Sequence, residues 1–372
     1  MTIKISGFMA EPATGSTASI GHAPGCLCGL SRRGFLSGAA AAGAAAMAPR
    51  RVSAQAAAPA PLRRIDVHHH MLPPDYISKR LAIGVGEDAS EVSQWTPGRT
   101  LEQMDKNGIG TAILSLSQPG LKFDDVEGTR SMVRYCNDYG AELVRSHPGR
   151  FGLFATLPLA DIDGSLRELE YAFNVLKADG VGLLTSYGSR YPGDPYFEPV
   201  FAELNRRMAV AFFHPNMPLC CNGILADVPG PTIEYQFNTA RAITNLLFSG
   251  TLSRFPDIKY IFCHSGGAMT PQVARIARTA EHTKKIAARL PHGAMAEIRK
   301  LYYDTAQSAY PENLGALKSF VPVSQILLGT DYPYVLPAYT VDALVKYGLT
   351  EAELRAITRD NAVALFPRLS AA

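Results

Sequence analysis

Strand-like and helix-like segments alternate from residue 62 to the end of this 372-residue chain, and this alternation constrains the fold more than any other feature. Strand-like runs predict eight strands, over residues 65–70, 111–117, 151–157, 181–185, 210–214, 259–264, 301–305 and 325–331. Helices are predicted over 101–107, 129–146, 165–177, 197–208, 234–252, 270–288 and 312–320, with two or three closing helices. Because parallel strands need crossover helices, residues 62–372 are expected to form one α/β domain, a (β/α)8 TIM barrel.

Local signals set the expected ends of two helices and mark one long connection. Thr100 precedes the helix over 101–107 and has the side chain of an N-cap. Gly180 follows the helix over 165–177, and glycine commonly ends a helix. Residues 215–231 are rich in Pro and Gly, so we expect a lid over a site or a contact between copies of the protein.

Side chains that bind metals stand where predicted strands end. His68 and His70 are two residues apart at the end of the first strand, so they share a face, with Asp66 deeper on that face and His69 on the other. The fifth, sixth and eighth strands end in His214, His264 and Asp331. Each residue alone could be a satisfied polar side chain or a cap. All of these strand ends meet at one face of a barrel, however, so together they predict a metal centre.

Charge argues against a nucleic-acid partner. The formal net charge is +3, and residues 1–56 hold five of the 36 basic residues and one of the 33 acidic ones. The remaining chain therefore carries 31 basic and 32 acidic residues and is close to neutral. Partners of this part of the chain are not selected by bulk charge.

Residues 1–56 are predicted to be an export signal, followed by a linker at residues 57–61. Arg32 and Arg33 precede Gly-Phe-Leu in a segment that resembles a twin-arginine signal, and Ala54-Gln55-Ala56 is a small-x-small cleavage site. The apolar run between them is too short to span a membrane, and no later run reaches about 18 apolar residues. We expect a periplasmic or secreted protein with no membrane contact after processing. An Ala-rich tail with a chance arginine pair is the alternative.

The cysteines give no metal or disulfide pattern. Cys26 and Cys28 lie in the predicted signal, which leaves Cys136, Cys220, Cys221 and Cys263. Their spacing matches no zinc motif, and two adjacent cysteines bridge each other only under strain. We interpret the four as ordinary thiols, although an oxidising compartment would permit a disulfide.

Four motifs lie at the strand ends: DVHHHMLPP at 66–74, FHP at 213–215, CHSGG at 263–267 and LGTDYP at 328–333. Together they resemble the amidohydrolase superfamily, in the branch that contains aminocarboxymuconate semialdehyde decarboxylase and 6-methylsalicylate decarboxylase. The segments WTP at 95–97 and YQF at 235–237 are similar to the 6-methylsalicylate type. The resemblance covers residues 65–366 and implies an amidohydrolase-like barrel.

The resemblance also implies a set of site residues. The metal ligands would be His68, His70, His214 and Asp331, and His264 would be a catalytic histidine that polarises metal-bound water. Binuclear relatives carry a lysine at the end of strand four, where this chain has Leu-Leu-Thr-Ser. One divalent ion is therefore expected. Three imidazoles and a carboxylate favour Zn²⁺, with Mn²⁺ as the alternative.

The same site suits two chemistries. A decarboxylase would release CO2 from a small aromatic or dienoic carboxylic acid, with Asp331 and metal-bound water in proton transfer and His264 assisting. A hydrolase would use the same residues on an amide, ester or lactone, and a metal-binding protein without turnover is a third class. Arg241 is predicted to orient the substrate, with a solvated helix charge as the alternative. Trp95, Phe213 and Tyr332 are candidates to line the site of the substrate ring, with a place in the apolar core as the alternative. Members of the family are commonly dimers, so a homodimer is expected.

Overall fold

The computed structural model describes residues 63–82, 90–117, 125–221, 223–225 and 227–371. The predicted signal at residues 1–56 and the linker at 57–61 lie outside these ranges, and both stay predictions. Within the described ranges, no helix has the length and apolar character that crossing a bilayer requires.

Eight parallel strands form one sheet in the order of the sequence, and the sheet closes into a barrel. The strands are β1 Arg64–His70, β2 Ile109–Ser115, β3 Phe151–Thr156, β4 Gly180–Leu184, β5 Val210–His214, β6 Lys259–Phe262, β7 Tyr302–Asp304 and β8 Ile326–Leu327. Past β8 the chain continues beside β1, where Val67 N donates to Leu328 O at 2.9 Å and His70 N to Tyr332 O at 2.8 Å. The predicted (β/α)8 barrel is confirmed.

Helices connect the strands on the outside of the barrel. They are α1 Pro74–Ala82, α2 Ser90–Ser93, α3 Pro97–Lys106, α4 Val126–Ser146, α5 Ile162–Tyr171, α6 Glu198–Arg206, α7 Glu234–Phe248, α8 Thr251–Arg254, α9 Val273–His282, α10 Lys284–Ala287, α11 Ala294–Lys300, α12 Pro311–Lys318, α13 Pro337–Lys346, α14 Glu351–Arg355 and α15 Asn361–Leu365. A π turn, Ala172–Leu176, extends α5, and another, Ala356–Asp360, joins α14 to α15.

Two of the expected helix ends were wrong. Thr96, not Thr100, caps α3: its side chain accepts from Arg99 N at 3.2 Å, and Pro97 supplies the fixed φ that suits a first helical residue. Thr100 is instead buried inside the helix. Gly180 does not end α5, because Lys177 already turns left-handed at φ 58°. Gly180 begins β4, where a Cβ would lie 2.6 Å from Val210 O.

Two predicted segments are shorter than their hydrophobic patterns suggested. The helix over 234–252 breaks at Gly250, which takes a φ of 78° and separates α7 from α8. Strand eight was expected to reach Asp331, but β8 ends at Leu327. Asp331 itself has a φ of 67°, a left-handed conformation that a strand excludes.

Apolar side chains fill the barrel below the strand ends. Phe154 and Phe212 stack with their ring centroids 5.2 Å apart, and the ring of His68 meets Phe212 edge-on at 5.1 Å. The neighbouring residue Phe213 points the other way and stacks on Phe262 at 4.8 Å, in the layer between strands and helices. Phe213 therefore takes the core position that was the alternative to lining a substrate ring site, because residues alternate in direction along a strand.

Candidate metal centre

Four predicted ligands converge at the carboxyl ends of the strands. His68 and His70 come from the end of β1, His214 ends β5, and Asp331 stands in the turn after β8. One ligand atom from each lies within 4.8 Å of the others. The Nε2 atoms of His68 and His70 are 3.1 Å apart, and they lie 3.1 and 3.0 Å from Asp331 Oδ1. All four residues are buried, so the structure contains a group of three histidines and one aspartate that can hold one metal ion.

Each of the three histidines is held by its other ring nitrogen. His68 Nδ1 lies 2.8 Å from Asp304 Oδ2, and His70 Nδ1 lies 3.1 Å from Ser115 Oγ. His214 Nδ1 lies 2.8 Å from the carbonyl oxygen of Pro215, which can only accept, so His214 carries its proton on Nδ1. This arrangement leaves Nε2 as the ligand atom, and such partners fix the tautomer and the ring orientation in metal sites.

The donor set fits a metal ion. His214 Nε2 is buried and has no hydrogen-bond partner within the described parts of the chain. A buried polar nitrogen without a partner is costly, and it lies 3.9 Å from Asp331 Oδ1 on the side of the other ligand atoms. Three imidazole nitrogens and one carboxylate oxygen suit Zn²⁺ or another divalent first-row ion. An ion here would satisfy atoms that the protein leaves unsatisfied.

Opposing charges perturb the metal-free site strongly. Burial opposes protonation of His68, but Asp304 and Asp331 outweigh it and raise the pKa of His68 to about 10. Burial lowers the pKa of His70 to about 3, and the neighbouring His214 adds to the fall. Burial would raise the pKa of Asp331, but the surrounding histidines hold it well below its ordinary value. Without metal, the ligand group is therefore an Asp331 anion beside a protonated His68.

The two oxygens of Asp331 face different partners. Oδ1 points to the ligand nitrogens, whereas Oδ2 lies 3.2 Å from His264 Nε2 and accepts a hydrogen bond from Gln307 Nε2 at 2.6 Å. His264 itself is not among the four ligand residues. The carboxylate thus joins the ligand group on one side to a histidine and an amide on the other.

Left-handed turns carry the residues around Oδ2. Asp331, His264 and Gln307 have φ values of 67°, 55° and 49°. Such conformations are uncommon for residues other than glycine and concentrate at functional sites. A left-handed residue does not fit a strand, so β6 does not reach His264 and β8 does not reach Asp331, the last residues predicted for them.

A second group of metal-type side chains lies next to the site, but its thiol and its carboxylate are engaged in hydrogen bonds. His68, Cys263 and Asp304 have ligand atoms within 4.8 Å of one another. Cys263 Sγ, however, donates to Phe213 O at 2.8 Å, and burial together with Asp304 raises the pKa of its thiol. A neutral thiol is a poor ligand. All four cysteines in the described residues are free thiols.

Among the described residues, no hydrogen bond or ring contact joins Arg241 or Trp95, the two predicted substrate residues, to the four ligands. Arg241 lies on α7, three residues after Asn238, whose amide bonds Thr185 Oγ1 at 2.8 Å and Asn216 O at 2.8 Å where β4 and β5 end. Arg241 Nη2 is 3.7 Å from Cys221 Sγ, and Nη1 is buried without a hydrogen-bond partner among the described residues. Trp95 is buried in an apolar cluster that also contains Tyr332. Their roles in substrate binding stay predictions.

Asp66 is placed differently from the sequence interpretation. Strand β1 is irregular between Asp66 and His69, so strict alternation fails there. Asp66 Oδ2 lies 2.9 Å from His69 Nδ1, and Thr330 Oγ1 donates to it at 2.5 Å. His69 also packs on Tyr332, with ring centroids 5.0 Å apart. Asp66 therefore ties β1 to the turn after β8 and does not share the metal face, whereas His69 points away from the ligands as predicted.

Sequence reasoning missed four side chains of this site: Asp304, Gln307, Ser115 and Tyr334. Tyr334 places its ring 5.4 Å from that of His70. Asp304 ends β7 as Asp331 follows β8, so the rule that strand ends carry function could have identified it. The other three come from strand ends or loops without a histidine and gave no signal of their own.

Comparison with known proteins finds one matching protein family and relatives that are named decarboxylases. The family described as Amidohydrolase matches residues 65–368. Decarboxylase yanB of Aspergillus niger is 36% identical over 327 residues, which cover 82% of this chain and 88% of that protein. The 6-methylsalicylic acid decarboxylase of Penicillium expansum is 34% identical over 316 residues, 83% of this chain and 97% of that protein.

A solved structure shows the same fold. A dihydroxybenzoic acid decarboxylase from Polaromonas, crystallised with manganese and the inhibitor 2-nitroresorcinol, superimposes with a TM-score of 0.72. The two sequences are 23% identical, and the match covers 82% of this chain and 97% of the other. At this identity the likeness establishes the barrel alone.

Proposed function

Because this chain belongs to the amidohydrolase family, we propose that it is a metal-dependent carboxy-lyase that releases CO2 from a small aromatic carboxylic acid. Four relatives above 30% identity are named decarboxylases, and this chain matches them over most of their length. A dienoic acid is the alternative substrate class. The exact acid is left to experiment.

One observation carries the proposal: Asp331 stands between the ligand group and His264. Its Oδ1 lies 3.0 Å from His70 Nε2, and its Oδ2 lies 3.2 Å from His264 Nε2. A carboxylate with one oxygen turned away from the ligand nitrogens can hold a proton for a reacting carbon. Decarboxylation needs such a donor beside a cationic centre.

The proposed chemistry divides among named residues. His68, His70, His214 and Asp331 would hold one divalent ion, which would supply Lewis-acid polarisation of the substrate. His264 Nε2 passes its proton to Asp331 Oδ2, which delivers it to the carbon that bears the carboxylate, and His264 then regains a proton from solvent. The bond to the carboxyl carbon then breaks, its electron pair restores the ring, and CO2 leaves. Burial of the group strengthens each of these charge interactions.

Arg241 is our candidate for orienting the substrate. The buried Nη1 without a partner among the described residues can donate to an anionic oxygen, and guanidinium pairs with carboxylates in a fixed geometry. Arg241 lies one helical turn after Asn238 on α7, and the bonds of Asn238 to Thr185 Oγ1 and Asn216 O hold this part of the helix against the ends of β4 and β5. Trp95 and Tyr332 would then contribute apolar surface near the ring.

For the metal we propose Zn²⁺, with Mn²⁺ as the alternative. An imidazole-rich set with one carboxylate suits Zn²⁺. The manganese of the Polaromonas decarboxylase supports the alternative. We also propose a homodimer and export by the twin-arginine route, on the family resemblance and on the segment around Arg32 and Arg33.

The test is CO2 release by metal-loaded protein that begins near Ala57, against a panel of ortho-hydroxybenzoates and dienoic acids. We expect release that a chelator abolishes and that Zn²⁺ or Mn²⁺ restores. Protein with stoichiometric metal that releases no CO2 from the panel would contradict the proposal. Hydrolysis of an amide, ester or lactone by the same site would then be tested with the corresponding libraries.

A further inference from the structure

Asp304, at the end of β7, is not one of the four ligands, but it contacts both the ligand His68 and the turn that carries His264. Its side chain is fully buried. Oδ2 lies 2.8 Å from His68 Nδ1, and Oδ1 accepts from the backbone N–H of His264 at 2.9 Å and of Ala306 at 2.9 Å. One carboxylate therefore joins a ligand histidine on β1 to the turn that carries His264.

We propose that Asp304 is a positioning residue that holds the His68 imidazole in its ligand tautomer and the His264 turn in its left-handed conformation at the same time. The inference rests on the proposed metal site. Strand β7 supplies none of the four metal ligands, and the proposal gives this strand a role in the reaction through Asp304.

The first part of the proposal, the tautomer of His68, follows from the fact that the Asp304 carboxylate can accept hydrogen bonds but cannot donate them. An ionised carboxylate can only accept, so all three groups that face Asp304 must donate. His68 must then carry a proton on Nδ1 when it binds metal, which leaves the lone pair of Nε2 for the ion. An anionic partner also makes the imidazole a more basic ligand.

The second part of the proposal concerns the left-handed conformation of the turn at His264. His264 and Ser265 have φ values of 55° and 56°, and two successive left-handed residues other than glycine are strained. The bond from His264 N to Asp304 Oδ1 holds the start of this turn. Ser308, four residues after Asp304, holds the next residue through a bond of 2.7 Å between Ser308 Oγ and Ser265 Oγ. The end of β7 thus fixes where His264 Nε2 meets Asp331.

An asparagine cannot replace both functions. If its Oδ1 accepts from His68, its NH2 faces the two backbone N–H groups of His264 and Ala306, and donors oppose donors. If the amide is reversed, its NH2 donates to His68 Nδ1, which forces the proton onto Nε2 and removes the lone pair that the metal needs. Either orientation breaks one of the two functions, so Asp304→Asn is a sharp perturbation.

The matched control is Asp179→Asn. Asp179 is a buried carboxylate at the start of β4, on the opposite end of the barrel, where its Oδ2 accepts from Leu153 N at 2.8 Å and pairs with Arg368. Its loss removes comparable contacts to a backbone N–H and a cation. It touches neither a ligand nor His264.

The experiment compares metal dissociation constants, the melting temperatures of metal-free proteins and kcat at saturating metal for the two variants. For Asp304→Asn we expect Zn²⁺ affinity to fall about 10- to 100-fold and kcat at saturating Zn²⁺ to fall as well. Asp179→Asn should lower the melting temperature and change neither of the other two values. Equal Zn²⁺ affinity and equal kcat in both variants would overturn the proposal.

A measurement on the unaltered protein covers the case in which Asp304→Asn does not fold. With ¹⁵N-labelled histidine and Zn²⁺ bound, we expect His68 to show a protonated Nδ1 and a metal-bound Nε2. A proton on Nε2 or coordination through Nδ1 would refute the assignment. Neither this readout nor the Zn²⁺ affinity depends on CO2 release, so the positioning role and the proposed reaction can fail separately.

Discussion

The roles of His214 and His264 can be separated by their effects on metal content and on turnover. His214 Nε2 is one of four ligand atoms, whereas His264 Nε2 is not among them and lies 3.2 Å from Oδ2 of Asp331. We expect His214→Ala to lose metal and activity together. His264→Asn should retain metal and lose turnover. Asparagine is the better choice at this position, because it tolerates the left-handed φ of 55° that alanine does not.

The size of each effect follows from the contacts. A four-ligand zinc site binds with about 10–16 kcal/mol, so one ligand of four contributes about 2.5–4 kcal/mol, a loss in affinity of roughly 10²- to 10³-fold. His264 is not a ligand itself and reaches the ligand group only through Asp331 Oδ2, so its replacement should weaken metal binding far less. A positioned proton-transfer group contributes about 10²- to 10⁴-fold to rate, and this is the loss expected in kcat.

The assay is competition for Zn²⁺ with a chelator of known affinity, followed by CO2 release at saturating Zn²⁺. His69→Gln is the matched control, because His69 belongs to the same histidine run but binds Asp66 and packs on Tyr332. It should lower stability and retain metal. Equal loss of Zn²⁺ in His214→Ala and His264→Asn would refute the division of roles, as would full turnover in His264→Asn.

Two further predictions follow from the electrostatics and the packing of the site. The pKa of His68 is raised to about 10 in the metal-free protein, and the pKa of His70 is lowered to about 3, so one proton must leave when metal binds between these values. Zn²⁺ affinity should therefore rise about tenfold per pH unit between about pH 5 and pH 9, and a flat profile in chelator competition would contradict this. Gly329→Ala should weaken metal binding and cost about 1–3 kcal/mol of stability. Its Cβ would lie 2.7 Å from Asp304 Cγ and 2.8 Å from His68 Cβ, so thermal unfolding with and without Zn²⁺ would measure both effects.

Local patterns were sufficient for the architecture and for the strand ends that meet at the site, whereas the choice of the four ligands came from the family resemblance. Strand and helix periodicities are properties of neighbouring residues, so they predicted eight strands and the connecting helices without tertiary information. The barrel rule then brought His70 and Asp331 together across 261 residues of sequence, because parallel strands end at one face. Errors arose at the ends of elements, as at Thr100 and Gly180, where single side chains compete to cap or to pack.

Only the tertiary structure decided how the ligands are held. The irregularity in β1 turns Asp66 toward His69 and Thr330, although strict alternation would place it with the ligands. The left-handed turns at His264 and Asp331 bring His264 Nε2 close to Asp331 Oδ2, and no pattern in the sequence predicts these turns.

The part played by Asp304 shows why the sequence alone was insufficient. An aspartate at a strand end is equally suited to bind metal, to cap a turn or to hold another side chain. Which of these it does depends on what lies within about 3 Å of its oxygens, and those neighbours, His68 and His264, are 236 and 40 residues away in the sequence. Residue types and strand order therefore determined where the site is, whereas closure of the barrel decided the hydrogen bonds that orient it.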